Sequence, residues 1–356
     1  MSKTLKCIPM AMLLLIVFVL AACSSDKNTS SDGEQKSSSD SSSSGTTTAS
    51  VDLDLPKITF KLAHITPTDH MWHKASEKFN EELKARSGGK MQVEIYPASQ
   101  LGTEADMVQQ VEAGSIDFAL ITGAYLSART PEMAAWFAPY AFDSLQDAYN
   151  TSQSDIGKEV LSKVEGTGLK GLDYLFAGQR VMILKNKEVK QASDLSGLKM
   201  RVTPSPPLTA FYKSTGAAPE ALPLPEVYSA IQTGVIDGMD MDLDATITNK
   251  YSEVAKYAAV TNHMVWPSVI ITNEKSFDGL SKDAQQIIID SLKVASLYAV
   301  ENRAAQEEDF KSQLTSQGME VFDLDASVFK SQIEAFDAEY SAQSELIKRF
   351  IETVRK

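Results

Sequence analysis

Two arginines, the histidines and one acidic run are the residues whose types and spacing could do chemistry in this sequence. Arg201 ends the apolar stretch Gly197-Leu198-Lys199-Met200-Arg201-Val202 and stands just before Thr203-Pro204-Ser205-Pro206-Pro207. An arginine at the carboxyl end of a strand, beside a helix start, can grip a carboxylate with both arms of its fork. The same pattern serves equally well for a surface ion pair. Arg180 lies some twenty residues upstream. The four histidines are His64, His70, His73 and His263. His70 and His73 fall three apart at a helix start and could share a face, but no third nitrogen or sulfur ligand accompanies them, so zinc is not expected. His64 and His70 sit where a strand gives way to a helix, the place at which open α/β sheets bind ligands. Asp237, Asp240, Asp242 and Asp244 form the acidic run. From Asp240 it begins like a calcium loop, yet the sixth position is Ala245 and the twelfth Tyr251, where such loops need glycine and glutamate. A cleft-lining loop is the better reading of Asp240 and its neighbours, with a cation beside a bound ligand left as an alternative.

Other chemistry finds no support. The segment Gly166-Thr167-Gly168-Leu169-Lys170-Gly171 spells GxGxxG, but it follows a helix and precedes a strand, the reverse of a dinucleotide fingerprint. No phosphate-cradling GxxxxGK[ST] and no GxSxG elbow occurs. A secreted hydrolase would need a nucleophile paired with a base or a metal, and none assembles. No cofactor, metal centre or catalysis is expected.

The elements that must position these residues follow an α/β rhythm. Residues 57–64 alternate as a strand, a helix capped at Asp69 or a neighbour runs to 85, and 91–96 form a second strand. A helix from Thr103 to Gly114 and a strand over 116–122 complete βαβαβ, which predicts a parallel, doubly wound sheet. The rhythm then repeats: a helix over 145–164, strands at 169–176, 181–185, 198–202, 220–222, 235–239, 258–262 and 265–272, and helices at 208–214 and 226–233. Residues 282–317 predict one long helix or two with a bend near Phe310. A strand at 319–322 and a helix over 326–355 end the chain.

The first residues predict export. Lys3 and Lys6 precede an apolar run from Ile8 to Leu20, and Leu20-Ala21-Ala22-Cys23 supplies small residues before a cysteine. That is a signal peptide of lipobox type over 1–22, with Cys23 acylated. The run is short for a bilayer span of roughly 20 residues, though an uncleaved anchor is the alternative. Of the two cysteines, Cys7 would leave with the signal, so the processed chain would hold no disulfide and no free thiol. Residues 23–56 are rich in Ser and Thr and nearly devoid of apolar side chains, the composition of a disordered tether. The formal charge of -13, or -15 without Lys3 and Lys6, argues against nucleic acid as a partner and makes any anion site a local cationic exception.

Several segments in order resemble the solute receptors of tripartite ATP-independent periplasmic (TRAP) transporters, the DctP-like family. They are Tyr96-Pro97-Ala98-Ser99-Gln100-Leu101-Gly102-Thr103-Glu104, Ala113-Gly114-Ser115-Ile116-Asp117, and Asp194 through Val202. Gly216-Ala217-Ala218-Pro219, Pro225 through Gly238, and Ala259-Val260-Thr261-Asn262-His263 follow. The resemblance runs from about Ile58 to at least Leu292. It implies a two-lobed α/β receptor of periplasmic-binding-protein type, closing on its ligand, with a long helix shared by both lobes. The lobes are expected over 57–177 with 266–306, and 178–265 with 307–356. It further implies that Arg201 binds a substrate carboxylate, that Arg180 assists, and that TRAP permease subunits receive the ligand. A monomer is expected; a sensor kinase as downstream partner is the alternative to transport.

Two departures from the family pattern bear on the ligand. Met241 stands where an asparagine commonly reaches the ligand, and cannot replace an amide's paired donor and acceptor. Leu224 stands where sialic-acid-binding members carry an aromatic, which disfavours sialic acid. With Trp266, which could equally belong to the core, these residues predict a more apolar or smaller carboxylate held at a membrane-anchored, extracytoplasmic receptor.

Overall fold

Each of two mixed sheets takes strands from distant parts of the chain, and the chain passes between them at Arg180 and again over 261–264. The computed structural model describes residues 55–355 apart from 167, within a single compact unit. The expected signal peptide, Cys23 and almost all of the tether lie outside the described residues. In chain order the strands are β1 (Ile58–Ala63), β2 (Met91–Tyr96), β3 (Phe118–Thr122), β4 (Leu169–Gln179), β5 (Val181–Leu184) and β6 (Lys199–Val202). They continue as β7 (Ala218–Ala221), β8 (Gly238–Met241), β9 (Tyr257–Val260), β10 (Val265–Asn273) and β11 (Glu320–Asp323). The first sheet has the order β2-β1-β3-β10-β4 and the second β11-β9-β5-β8-β6-β7.

The predicted βαβαβ start is parallel throughout, β1 pairing with both β2 and β3. Neither sheet is wholly parallel, however. β10 runs antiparallel to β3 and β4, and β5 antiparallel to β8 and β9. The cause is the double crossing. The chain leaves the first sheet at the end of β4, passes through Arg180 alone and enters the second sheet as β5; it returns through 261–264 between β9 and β10. A strand that enters a lobe from the cleft side must run against the strands that end there. The carboxyl ends of β1, β3, β6 and β8 therefore face one cleft, the position from which ligands are bound in open α/β sheets.

Helices cover the sheets. The 24-residue helix Lys282–Ala305 packs on the helix Met71–Arg86 and on β4. Its buried positions Ala284, Ile288, Ser291, Leu292, Ala295 and Ala299 keep helical spacing, and the small residues permit close approach. Ser296 donates from Oγ to Asp173 Oδ2 (2.9 Å), fixing the helix to β4. The predicted bend falls at Gln306, four residues before Phe310, and the next helix, Glu307–Ser316, packs beside β11.

Two further long predictions divide. The helix foreseen over 145–164 is two, Leu145–Gln153 and Asp155–Ser162, meeting at Ser154, whose side chain caps the second. The last predicted helix is likewise Lys330–Ser341 and Glu345–Val354 after a single 3-10 turn. Residues 345–354, expected with the second lobe, pack instead beside the first sheet. Phe350 meets the buried Trp136 at 4.8 Å between ring centroids, and Trp136 also touches Tyr174 and Phe176 of β4. Burying a ring such as Phe350 contributes roughly 1.5–3 kcal/mol, which holds the last helix against the first sheet.

Candidate functional site

Arg201 emerges at the carboxyl end of β6, and its terminal guanidinium nitrogens form no ion pair among the described residues. Only Nε is held, donating to Leu222 O at 2.9 Å. The side chain is 2% exposed. Burial, with help from the nearby Arg180 charge, pulls its pKa down to about 10, so it remains cationic at neutral pH. A buried charge with no partner costs stability unless something of opposite sign arrives. Arg201 thus faces the cavity as a buried cation without a carboxylate partner among the described residues.

Arg180 sits at the crossing between the sheets and is in the opposite condition. Its Nε and Nη2 donate to the Asp240 carboxylate and to Asp240 O, and its Nη1 meets Asp242 Oδ2 at 3.1 Å. Its guanidinium carbon lies 3.8 Å from the centroid of the Trp266 ring, a cation–π contact. Asp240 in turn accepts from Tyr212 Oη (3.0 Å) and pairs with His263 Nε2 (2.9 Å). Burial alone would raise the Asp240 carboxyl, but Arg180 and His263 overcome that and hold it at about 2. Every donor nitrogen of Arg180 is committed.

The two arginines line one cavity enclosing about 320 Å³ of empty space, mouth included. Arg201, Arg180, Met241, Leu224, Trp266 and His70 all line it, together with Ile65, Thr66, Trp72, Thr122, Thr203 and Asp242. Asp240 and His64, expected at the wall, stand one layer behind. Asp240 fixes Arg180, as described. His64 Nδ1 bonds Thr66 Oγ1 (3.1 Å) and its Nε2 meets His73 Nδ1 (3.1 Å). Burial, then the neighbouring His73 and His70, pushes His64 down to about 3, so it serves as a neutral support for Thr66. Trp266 is both wall and core, 4% exposed and edge-on to Phe137.

The acidic run is used up internally. Asp237 accepts from Lys199 N (2.9 Å), Asp242 from Ala245 N (2.8 Å) and Arg180, and Asp244 from Met71 N (2.9 Å). The last bond spans the cleft, seating a carboxylate of the second lobe on the first turn of the helix Met71–Arg86. His70 Nε2 lies 3.8 Å from Asp244 Oδ2 and 4.0 Å from Asp242 Oδ1. Ser127 and Ser205, one from each side, meet at 3.1 Å.

The sequence reading does not single out Ile65, Thr66 or Thr122, and it misses two residues of more chemical weight. Trp72 lines the cavity, is 1% exposed, and its indole Nε1–H finds no acceptor among the described residues. Glu104 is buried beside Arg201, accepts from Thr122 N through Oε1 (2.6 Å), and is pushed by burial up to about 7. In the sequence Trp72 reads as an apolar helix position and Glu104 as an ordinary first-turn acid. An indole two residues past a histidine at the strand-to-helix turn was the one available signal.

Two sheets joined by crossing strands and enclosing one cavity are the architecture of two-lobed solute receptors. Residues 62–346 match the family model for DctP, bacterial extracellular solute-binding protein, family 7, and the chain belongs to that family. It is 31% identical over 262 residues to the Escherichia coli K12 2,3-diketo-L-gulonate-binding periplasmic protein YiaO, covering 73% of this chain and 80% of that one. To the C4-dicarboxylate-binding periplasmic protein DctP of Rhodobacter capsulatus it is 30% identical, covering 72% and 76%. Among solved structures, a TRAP periplasmic solute-binding protein from a Bordetella species, with density assigned as pantoate, superposes with a TM-score of 0.80. That match has 27% identity and covers 84% of this chain and 98% of the other. A Bradyrhizobium counterpart in complex with galacturonate gives 0.79 at 28% identity, covering 84% and 99%.

Proposed function

We propose that this protein is the extracytoplasmic receptor of a TRAP-type secondary transporter and captures a small carboxylate on Arg201 for delivery to membrane permease subunits. The observation that carries this reading is the contrast within one cavity: Arg180 is saturated by Asp240 and Asp242, while Arg201 offers a buried, uncompensated fork. Relatives that bind a diketogulonate, a C4-dicarboxylate and galacturonate support a carboxylate cargo. Trp72 Nε1–H supplies a second donor for a carboxylate or neighbouring oxygen. Met241, Leu224 and Trp266 form the apolar wall, and His70 borders the cavity. Lobe closure excludes water and strengthens the charge-assisted bond. Processing at Cys23 would tether the receptor to the membrane through lipid.

The 57–177 and 266–306 segments, now with 345–354, form the first lobe in this reading, and 178–265 with 307–341 the second. A thermal-shift screen against carboxylates, sugar acids and neutral solutes tests the cargo. Carboxylates should raise the melting temperature with concentration, as binding to the native state alone adds about 2.7 kcal/mol at a hundredfold excess over Kd. A screen whose hits were all neutral solutes would refute an anion receptor.

A further inference from the structure

Beside the Arg201 cavity lies a second chamber of about 530 Å³, and its walls are mostly carbon. Ile65 and Tyr125 come from the first-lobe side, and Pro204, Pro223, Leu224 and Pro225 from the second. Ile65 and Leu224 line both spaces, so the two adjoin across a pair of aliphatic side chains. The prolines fix the backbone on the second-lobe side, giving a wall that needs little ordering when a ligand arrives. Glu104, also on the chamber wall, is bound to Thr122 N.

The polar groups of the Arg201 cavity are too few for a polyhydroxylated ligand. Arg180 and Asp242 are bonded to each other, Thr66 Oγ1 is bonded to His64, Thr122 Oγ1 accepts from Tyr125 N, and His70 Nδ1 accepts from Trp72 N. What stays open is the Arg201 fork, Trp72 Nε1–H, His70 Nε2–H and the Thr203 hydroxyl, four groups facing Ile65, Ala177, Met241, Ala245 and Trp266. A ligand hydroxyl buried against such a wall loses its water partners without replacement.

We infer that the ligand is a carboxylate bearing an apolar arm, with its head on Arg201 and its arm in the chamber between Ile65, Tyr125, Leu224 and the three prolines. This rests on the carboxylate reading above and narrows it. The first-lobe and second-lobe halves of the chamber come together as the lobes close, so the arm rewards closure as well as binding.

The test is calorimetric titration of the purified full chain with acetate, 4-methylpentanoate and 3-phenylpropanoate, which share a head and differ in the arm, and with galacturonate and galactonate. Affinity should rise at least tenfold or so from acetate to the best arm-bearing acid, an increment of the size apolar burial supplies. Galacturonate and galactonate should bind more weakly than that acid. Ala105 lines the chamber but not the Arg201 cavity, so Ala105→Phe should cancel the gain for the two longer acids and leave acetate affinity as it was. Where that variant melts early, Tyr125→Ala supplies the check, weakening only the longer acids. Arg201-dependent binding that is tightest for galacturonate or galactonate, or indifferent to the arm, overturns the inference and leaves the receptor reading in place. Carboxylate binding that survives Arg201→Ala, or is absent altogether, overturns both.

Discussion

Arg180 and Arg201 are both buried against the same cavity, and they differ in their partners: two carboxylates hold the first, and a single backbone carbonyl holds the second. The sequence marks both: Arg201 ends a strand in a stretch resembling a known receptor family, and Arg180 stands some twenty residues upstream, where that resemblance implies an assisting arginine. It did not show that Asp240 and Asp242 would claim one and spare the other, since those carboxylates lie sixty residues away and meet Arg180 only through β5 and β8 pairing. Glu104 was hidden for the same reason: its burial arises from Thr122 and the second lobe, not from its helix. Its chemistry gives a pH signature. The folded carboxyl titrates at about 7 against an ordinary 4.5, so burying it costs nothing below pH 4.5 and costs progressively more as pH rises through 7. Glu104→Gln should therefore gain stability over the parent between pH 4.5 and 8, by up to roughly 3 kcal/mol for a shift of that size. Denaturant unfolding at the two pH values measures it, and an advantage that is the same at both would show Glu104 to be ionised at no penalty.

At the scale of elements, strands were read well and long helices poorly. Strand positions announce themselves by alternation and by the glycines that end them, whereas a helix break can be made by contacts that no local pattern carries. Gln306 interrupts a polar, proline-free stretch, and nothing in its neighbours marks the spot. Ser154 was legible in principle, because Ser-Asp-Ile-Gly is a fair helix start. Gly157 shows what holds that joint. A Cβ there would lie 2.2 Å from Thr151 O and 2.7 Å from Ser152 Cα, so the two short helices touch backbone to backbone. Helix propensity alone says that Gly157→Ala gains up to about 1 kcal/mol. The packing reverses the sign, and the substitution should cost about 1–3 kcal/mol in a chemical melt.

For the whole molecule, the antiparallel strands β5 and β10 were the missing piece, and they follow from a chain that crosses twice between lobes. That crossing puts Arg180 at the junction, places the ends of β1, β3, β6 and β8 around one cavity, and lets Met71 and Asp244 meet across it. In the proposed receptor the cargo is read at one residue and closed over by two lobes. Isothermal titration of the tightest-binding carboxylate into the parent and into Arg201→Ala compares them directly. The parent should bind, and the variant should lose on the order of a hundredfold or more, since the ligand's charge would then be buried without a partner. Equal affinity in the two proteins would place the carboxylate elsewhere.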